Sequence, residues 1–204
     1  MKKNIFIFTV VLLMSCAQDF ELRRSIFIQD PASPGLPVYS EWGYNTFGAY
    51  YNRDIFVSTD SQVPLQVINH DNKTTFVFSG MLQPQGSYYN YNYSQGPLTF
   101  KVILPDLHPT TYGDLIALND EVLDLTDPSI EVSLENSDSI ALKIQIISGQ
   151  LHFKRAQYLM VDKKPSEVIL SGTFEFQAII KGELVSISDG RFDTGISTSN
   201  FFNY

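Results

Sequence analysis

The hydrophobic and polar residues of this chain alternate with a period of two over most of its length from Tyr39 onward. Successive side chains of a β-strand point to opposite faces, so this alternation predicts strands with one buried and one wet face. Turn-forming residues separate the alternating runs at short intervals. The predicted strands are Thr46–Tyr51, Ile55–Val57, Leu65–Ile68, Thr75–Ser79, Leu98–Leu104, Ile130–Leu134, Ile140–Ile147, Leu151–Val161, Val168–Ile180, Leu184–Ser188 and Arg191–Ile196.

Many short strands with regular turns predict an all-β domain over residues 38–204. An antiparallel β-sandwich is the first expectation, and a closed or partly open β-barrel is the alternative. The period of Asp114–Asp127 is ambiguous, because it fits either one short helix or a hairpin that turns at Asn119-Asp120. The fold therefore contains at most one short helix.

Two phenylalanines near the C-terminus are expected in the core. Phe174 and Phe176 alternate with Glu175, so both rings should face inward and the carboxylate should face water.

The sequence Asp189-Gly190 predicts a tight turn between the last two strands. Arg191 follows this turn and has Asp189 and Asp193 as candidate ion-pair partners.

The first fifteen residues have the pattern of an export signal. Lys2 and Lys3 precede the apolar run Ile5–Met14, which is shorter than the roughly 20 apolar residues that span a membrane. Leu13-Met14-Ser15-Cys16 resembles the bacterial lipobox, which implies cleavage before Cys16 and a lipid on its sulfur. Cys16 is the only cysteine of the chain. Ala17 favours the outer membrane and leaves the periplasmic and the surface side as alternatives.

Residues 16–37 are predicted to be the lipidated N-terminus and a tether. Pro31, Pro34 and Pro37 argue against a helix or a central strand there. Fully extended, residues 17–37 would reach about 70 Å. The apolar stretch Ile26–Ile28 within it is either a short edge strand or a contact for a partner.

Composition and charge narrow the class of partner. Removal of residues 1–15 also removes Lys2 and Lys3, which takes the formal charge from −8 to −10. A chain this acidic is repelled by nucleic acid and by anionic membrane surfaces. Neutral glycans, cations and other proteins are the partners that remain.

Two blocks resemble a family of small outer-membrane lipoproteins of unknown function from gut-type anaerobic bacteria. The first block is Phe47–Asp54, in which Arg53 stands where the family usually has glycine. The second is Ser171–Phe176 followed by Val185–Asp193, with the Gly-Thr-Phe-x-Phe and Asp-Gly-Arg-Phe-Asp patterns. The resemblance implies a lipid-anchored β domain and no catalytic residues.

No catalytic motif is found in the sequence. It contains no Gly-x-Ser-x-Gly, His-Glu-x-x-His, Gly-x-x-x-x-Gly-Lys or Ser-x-x-Lys pattern, and its three histidines lack metal-ligand spacing. We therefore expect no enzyme, no cofactor and no metal. Two alternatives stay open: a glycosidase-type carboxylate pair hidden among the 22 acidic residues, and a calcium site in Asp114–Asp127.

Aromatic residues give the candidate ligand-binding site. Tyr89, Tyr91 and Tyr93 alternate with asparagines, which in an extended segment gives one aromatic and one amide face. Trp42 is expected to contribute to the same kind of stacking surface. Separately, Asp138-Ser139-Ile140 resembles a short bacterial O-glycosylation motif, with Ser139 as acceptor.

These observations predict a non-enzymatic, lipid-anchored outer-membrane module that binds a ligand or a protein. Its partners are the membrane through Cys16, and a glycan or an outer-membrane protein complex of nutrient uptake. The first rival is a surface-fibre or adhesion subunit assembled by β-strand addition, with Arg23-Arg24 as a protease site before Ile26–Ile28. The second rival is a carbohydrate-active enzyme.

Overall fold

The computed structural model describes residues 25–59, 63–84, 96–135 and 141–204, and for 141–143 the backbone alone. The described residues are nearly all β, with 63% of them in strands and 4% in helix. The strands are β1 (Thr46–Tyr51), β2 (Asp54–Val57), β3 (Leu65–His70), β4 (Lys73–Gln83), β5 (Gly96–Leu104), β6 (Glu121–Asp124), β7 (Glu131–Glu135), β8 (Ala141–Val161), β9 (Lys164–Ile180), β10 (Glu183–Ile196) and β11 (Phe201–Asn203).

All strands belong to one sheet with the order β11-β3-β4-β2-β1-β10-β9-β8-β7-β5, and β6 pairs with β8. Among the described strands, only the β11–β3 pairing is parallel. β4 also pairs with β5, and the sheet curls strongly into a half-barrel. The all-β prediction is confirmed. Continuous pairing replaces the two packed sheets of a sandwich, so the structure corresponds to the partly open barrel alternative.

The concave side of the sheet holds the core. Alternate residues of each strand point into it, and its largest buried side chains are phenylalanines. Phe174 and Phe176 are each 2% exposed, which confirms the predicted inward face. The other buried rings are Phe47, Phe56, Phe76, Phe78, Phe100, Phe153 and Phe192.

In the ambiguous segment Asp114–Asp127 the short helix is observed and the hairpin is not, because β6 pairs with β8. Its first part lies in a short 3₁₀ helix, Tyr112–Leu118, which buries Leu115 and Leu118 against the core. The chain then turns at Asn119-Asp120 into β6. Within the described ranges no helix is long and apolar enough to cross a membrane.

The predicted turn at Asp189-Gly190 is wrong, because both residues lie inside β10 in a β-bulge. Ile187 pairs with Phe176 and Gly190 with Phe174, so one extra residue is absorbed without ending the strand. Asp189 has a φ of 52°, and a Cβ on Gly190 would lie 2.4 Å from the Phe174 carbonyl oxygen. This bulge lets the 14-residue strand bend around the core.

Residues 25–38, most of which were predicted to be tether, pack against the outside of the domain; we call them the strap. Leu36 is fully buried against Ile55 and Val57. Arg191 binds the carboxylate of Asp30 at 2.5 Å and the hydroxyl of Ser33 at 3.2 Å. The strap therefore belongs structurally to the domain.

The ion pairs of Arg191 differ from those that the sequence predicts. Its guanidinium is 3.8 Å from Asp189, one of the two predicted partners, but its closest carboxylate is that of Asp30. The other predicted partner, Asp193, accepts hydrogen bonds from the backbone of residues 42–44 instead.

Candidate functional site

A concave surface among the described residues lies on the outer face of β6, β8, β9 and β10; we call it the outer groove. Its main part has a volume of about 720 Å³, and a second part of about 350 Å³ continues it. The two parts share Gln150 and Glu175. Polar side chains dominate the lining, as they do on the water-facing side of a sheet that buries phenylalanine on its other side.

Strand register explains how these polar residues come together. Asp124 pairs with Gln150, which pairs with Glu175, so three side chains from β6, β8 and β9 share one row. A parallel row contains Gln177, with Ser148 and Ser186 as its neighbours on β8 and β10. Partners directly opposite each other point to the same face, so the rows form a ladder of amides, hydroxyls and carboxylates.

The main part of the groove holds two carboxylates, Asp124 and Glu175, two strand spacings apart, and Asp189 lines the second part. Two spacings place their Cα atoms roughly 10 Å from each other. Asp124 accepts hydrogen bonds from the amide and the hydroxyl of Thr126 at 2.9 and 2.7 Å. These bonds lower the pKa of Asp124, so it stays ionised and is engaged with its own turn.

An aromatic residue, Tyr39, closes one end of the groove. The Lys154 ammonium lies 5.1 Å from the centre of its ring, in cation–π geometry. Partial burial is the main cause that raises the pKa of Tyr39 to about 12, so the phenol keeps its proton. It donates a hydrogen bond to Glu41 at 3.0 Å.

Trp42 lies on the loop that follows Tyr39, and this loop is firmly held. The buried Asp193 carboxylate accepts hydrogen bonds from the amides of Trp42, Gly43 and Tyr44 at 3.2, 2.7 and 3.0 Å, and from the Ser40 hydroxyl. Gly43 has a φ of +75°, which a residue with a side chain rarely adopts. The loop holds the indole 73% exposed, outside the lining of the groove.

Most of the predicted site residues lie outside the described part of the chain. These are Cys16, Tyr89, Tyr91, Tyr93 and Ser139. The tyrosine segment belongs to the connection between β4 and β5. Its proposed aromatic face therefore stays a prediction.

The acidic residues of Asp114–Asp127 are distributed among separate turns. Asp114 accepts hydrogen bonds from Thr110 and Thr111, and Asp127 from Ser129. Asp120 lies 3.1 Å from the ring of His152. In the ranges that the structure describes, no three potential metal ligands come together.

The residues of the outer groove were not identified by sequence reasoning. Glu175 and Gln177 were assigned only to the wet face of a strand. The alternation shows that they point outward, but their grouping with Gln150 and Ser148 depends on a register that one sequence does not specify.

No family model, curated protein or solved structure matches this chain. The resemblance of the two sequence blocks to small outer-membrane lipoproteins therefore stays a prediction. The geometry of the groove and the N-terminal sequence pattern are therefore the two observations that bear on function.

Proposed function

We propose that this protein is a lipid-anchored, non-enzymatic module of the outer membrane that binds a neutral glycan in the outer groove, as an accessory part of nutrient uptake. The observation that carries the proposal is the ladder of amides, hydroxyls and carboxylates along β8, β9 and β10. The anchor rests on the export signal and Cys16.

The chemistry of the groove favours a ligand rich in hydroxyl groups. Gln150 and Gln177 each offer both hydrogen-bond donors and acceptors, and Glu175 offers acceptors. A sugar hydroxyl can bond to all of these groups. The net charge of −10 after cleavage opposes anionic ligands, which favours a neutral glycan over a phosphorylated or acidic one.

Asp124 does not provide the acid group that the rival of a carbohydrate-active enzyme requires. A glycosidase needs one carboxyl group whose raised pKa keeps it protonated as an acid. The hydrogen bonds from Thr126 move the pKa of Asp124 in the opposite direction. Asp124 is therefore a poor proton donor for a glycosidic oxygen.

The strap argues against the rival of a fibre subunit. Strand addition needs a segment whose backbone is free to pair with another subunit. Here the Ile26 amide donates to the Tyr44 carbonyl, and the Ile28 carbonyl accepts from Val38, at 2.8 and 2.7 Å. These groups already pair within the same chain.

Binding to soluble neutral polysaccharides tests the proposal. The lipidated full chain in detergent would be titrated by calorimetry with an α-glucan, a β-glucan, a mannan and a xylan. We expect one of them to bind, and Gln150→Ala with Gln177→Ala to weaken that binding at least tenfold. Loss of two hydrogen bonds is worth about 1–3 kcal/mol, which is consistent with a tenfold effect.

Gln145→Ala is the matched control. Gln145 is an exposed glutamine of β8, the strand of Gln150, and it lies outside the groove lining. It should bind as tightly as the wild type, and all variants should melt at the same temperature. If none of the four polysaccharides binds the wild type, or if the double variant binds as the wild type does, the proposed ligand class is wrong.

A further inference from the structure

We propose that Trp42 and the strap residues Ile26, Phe27 and Ile28 form a contact with the lipid surface to which Cys16 is anchored. We call these four residues the apolar patch. The proposal rests on the proposed anchoring, and it adds which side of the domain faces the membrane.

The patch combines the largest run of exposed apolar side chains in the strap with the exposed indole. Ile26, Phe27 and Ile28 are 49%, 42% and 50% exposed, although they are consecutive, and Trp42 is 73% exposed. The hydrogen bond from the Ile26 amide to the Tyr44 carbonyl holds the strap beside the Trp42 loop. A contiguous apolar area on a soluble domain marks a contact surface.

The position of the patch along the chain indicates its occupant. The described chain begins at Ser25, next to the patch, and only residues 17–24 separate it from Cys16. Even fully extended, that distance is about 30 Å, compared with about 70 Å for the whole predicted tether. A lipid on Cys16 therefore keeps the patch close to the bilayer.

The chemistry of the patch fits the interfacial zone of a membrane. Tryptophan is enriched at that depth because its ring is apolar and its N–H is polar. Isoleucine and phenylalanine bury favourably beside it. The net acidic charge opposes approach to anionic lipids, so the contact should be stronger on zwitterionic than on anionic bilayers.

The outer groove stays accessible in this orientation. It begins at Tyr39, near the Trp42 loop, and extends along the strands to Gln177 and Ser186. A groove that leads away from the patch leads away from the lipid surface. A polysaccharide could therefore enter it from the aqueous side.

Trp42 is the only tryptophan of the chain, so intrinsic fluorescence reports on this residue alone. The lipidated full chain would be reconstituted into phosphatidylcholine vesicles, with and without acyl chains brominated near the headgroup. We expect a blue-shifted emission that brominated lipid quenches and that aqueous acrylamide does not. In vesicles rich in phosphatidylglycerol the quenching should be weaker.

Two variants separate the patch from a general effect of anchoring. Ile26→Ser with Phe27→Ser and Ile28→Ser should restore acrylamide quenching and remove quenching by brominated lipid. Leu184→Ser is the control, because Leu184 is 62% exposed and lies nine residues along β10 from Asp193, roughly 30 Å from the Trp42 loop. It should behave as the wild type.

An anchored wild type whose Trp42 stays quenched by acrylamide and not by brominated lipid would overturn this inference and leave the anchor intact. The same holds if the triple serine variant is quenched by lipid as the wild type is. Detergent phase partition checks the anchor separately, and a chain without a lipid would overturn both proposals.

Discussion

Phe174 contacts three other aromatic rings of the core. Its ring centre lies 5.7, 5.9 and 5.2 Å from those of Phe47, Phe78 and Phe100. Phe176 stacks on Phe100 at 5.2 Å. Offset stacked rings add a modest attraction to the large apolar area that each of them buries.

Loss of either ring should destabilise the domain strongly. Phe174→Ala and Phe176→Ala should each lower the free energy of unfolding by about 3–5 kcal/mol, because each leaves a cavity in a packed core. Phe174→Ala should be the more damaging, since Phe174 contacts more rings. Denaturant unfolding of the purified domain measures both effects.

Glu175→Ala is the matched control for these two substitutions. It changes the residue between them on the exposed face and should alter the free energy of unfolding by less than about 0.5 kcal/mol. Equal losses for all three variants would show that the register of β9 is wrong.

The side-chain partners of charged residues were harder to predict than the faces of the strands. Alternation alone placed Phe174, Phe176 and Glu175 correctly, because burial in a strand follows a period of two. It could not reveal that Arg191 binds Asp30, which is 161 residues away in sequence. Such a pair depends on where the strap docks, and no local pattern encodes that.

At the scale of elements, the strap is the segment whose role differs most from the sequence-based expectation. Its prolines predict that no helix forms, and none does in residues 25–38. They also predict a tether, whereas these residues pack against the domain. Proline also suits a segment that packs on a sheet without joining it, as the burial of Leu36 shows. Hydrogen bonds from the Ala32 amide and from Arg191 lower the pKa of Asp30, which keeps the strap ion pair charged.

Arg191→Gln should loosen the strap without unfolding the domain. The variant loses the charge that binds Asp30, whereas the packing of the core is unchanged. We expect chymotrypsin to cut after Phe27 several times faster than in the wild type, with little change in melting temperature.

Arg53→Gln serves as the control for the strap, because Arg53 is an exposed arginine in the turn between β1 and β2. It should be cut at the wild-type rate. Unchanged cleavage of Arg191→Gln would mean that the ion pair does not hold the strap.

The elements themselves were predicted well where a turn is encoded locally. The hairpins at Asn52-Arg53, Asp71-Asn72 and Lys181-Gly182 are confirmed. The predictions differ from the structure where a strand continues through residues that usually form a turn. Asp189-Gly190 has the composition of a hairpin, but pairing with β9 on both sides makes it a bulge.

At the scale of the whole molecule, the strap, the apolar patch and the outer groove lie on the same curled sheet. The strap and the apolar patch lie beside the N-terminal end of the described chain, and the outer groove extends from there over β8, β9 and β10. The pairing of β1 with β10 could not be predicted, because it joins strands that are far apart in the sequence. This arrangement fits a domain held close to a membrane with its groove facing water.

The proposed outer-membrane anchoring and the membrane contact of the apolar patch both depend on the lipid at Cys16. Mass spectrometry of the mature N-terminal peptide tests for this lipid most directly. The protein would be purified from membranes of a bacterium that lipidates exported proteins, beside Cys16→Ala as control. We predict a wild-type peptide that begins at Cys16 and carries the mass of a diacylglycerol, and a Cys16→Ala protein without it. A wild-type peptide that begins elsewhere, or an unmodified Cys16, would contradict the account.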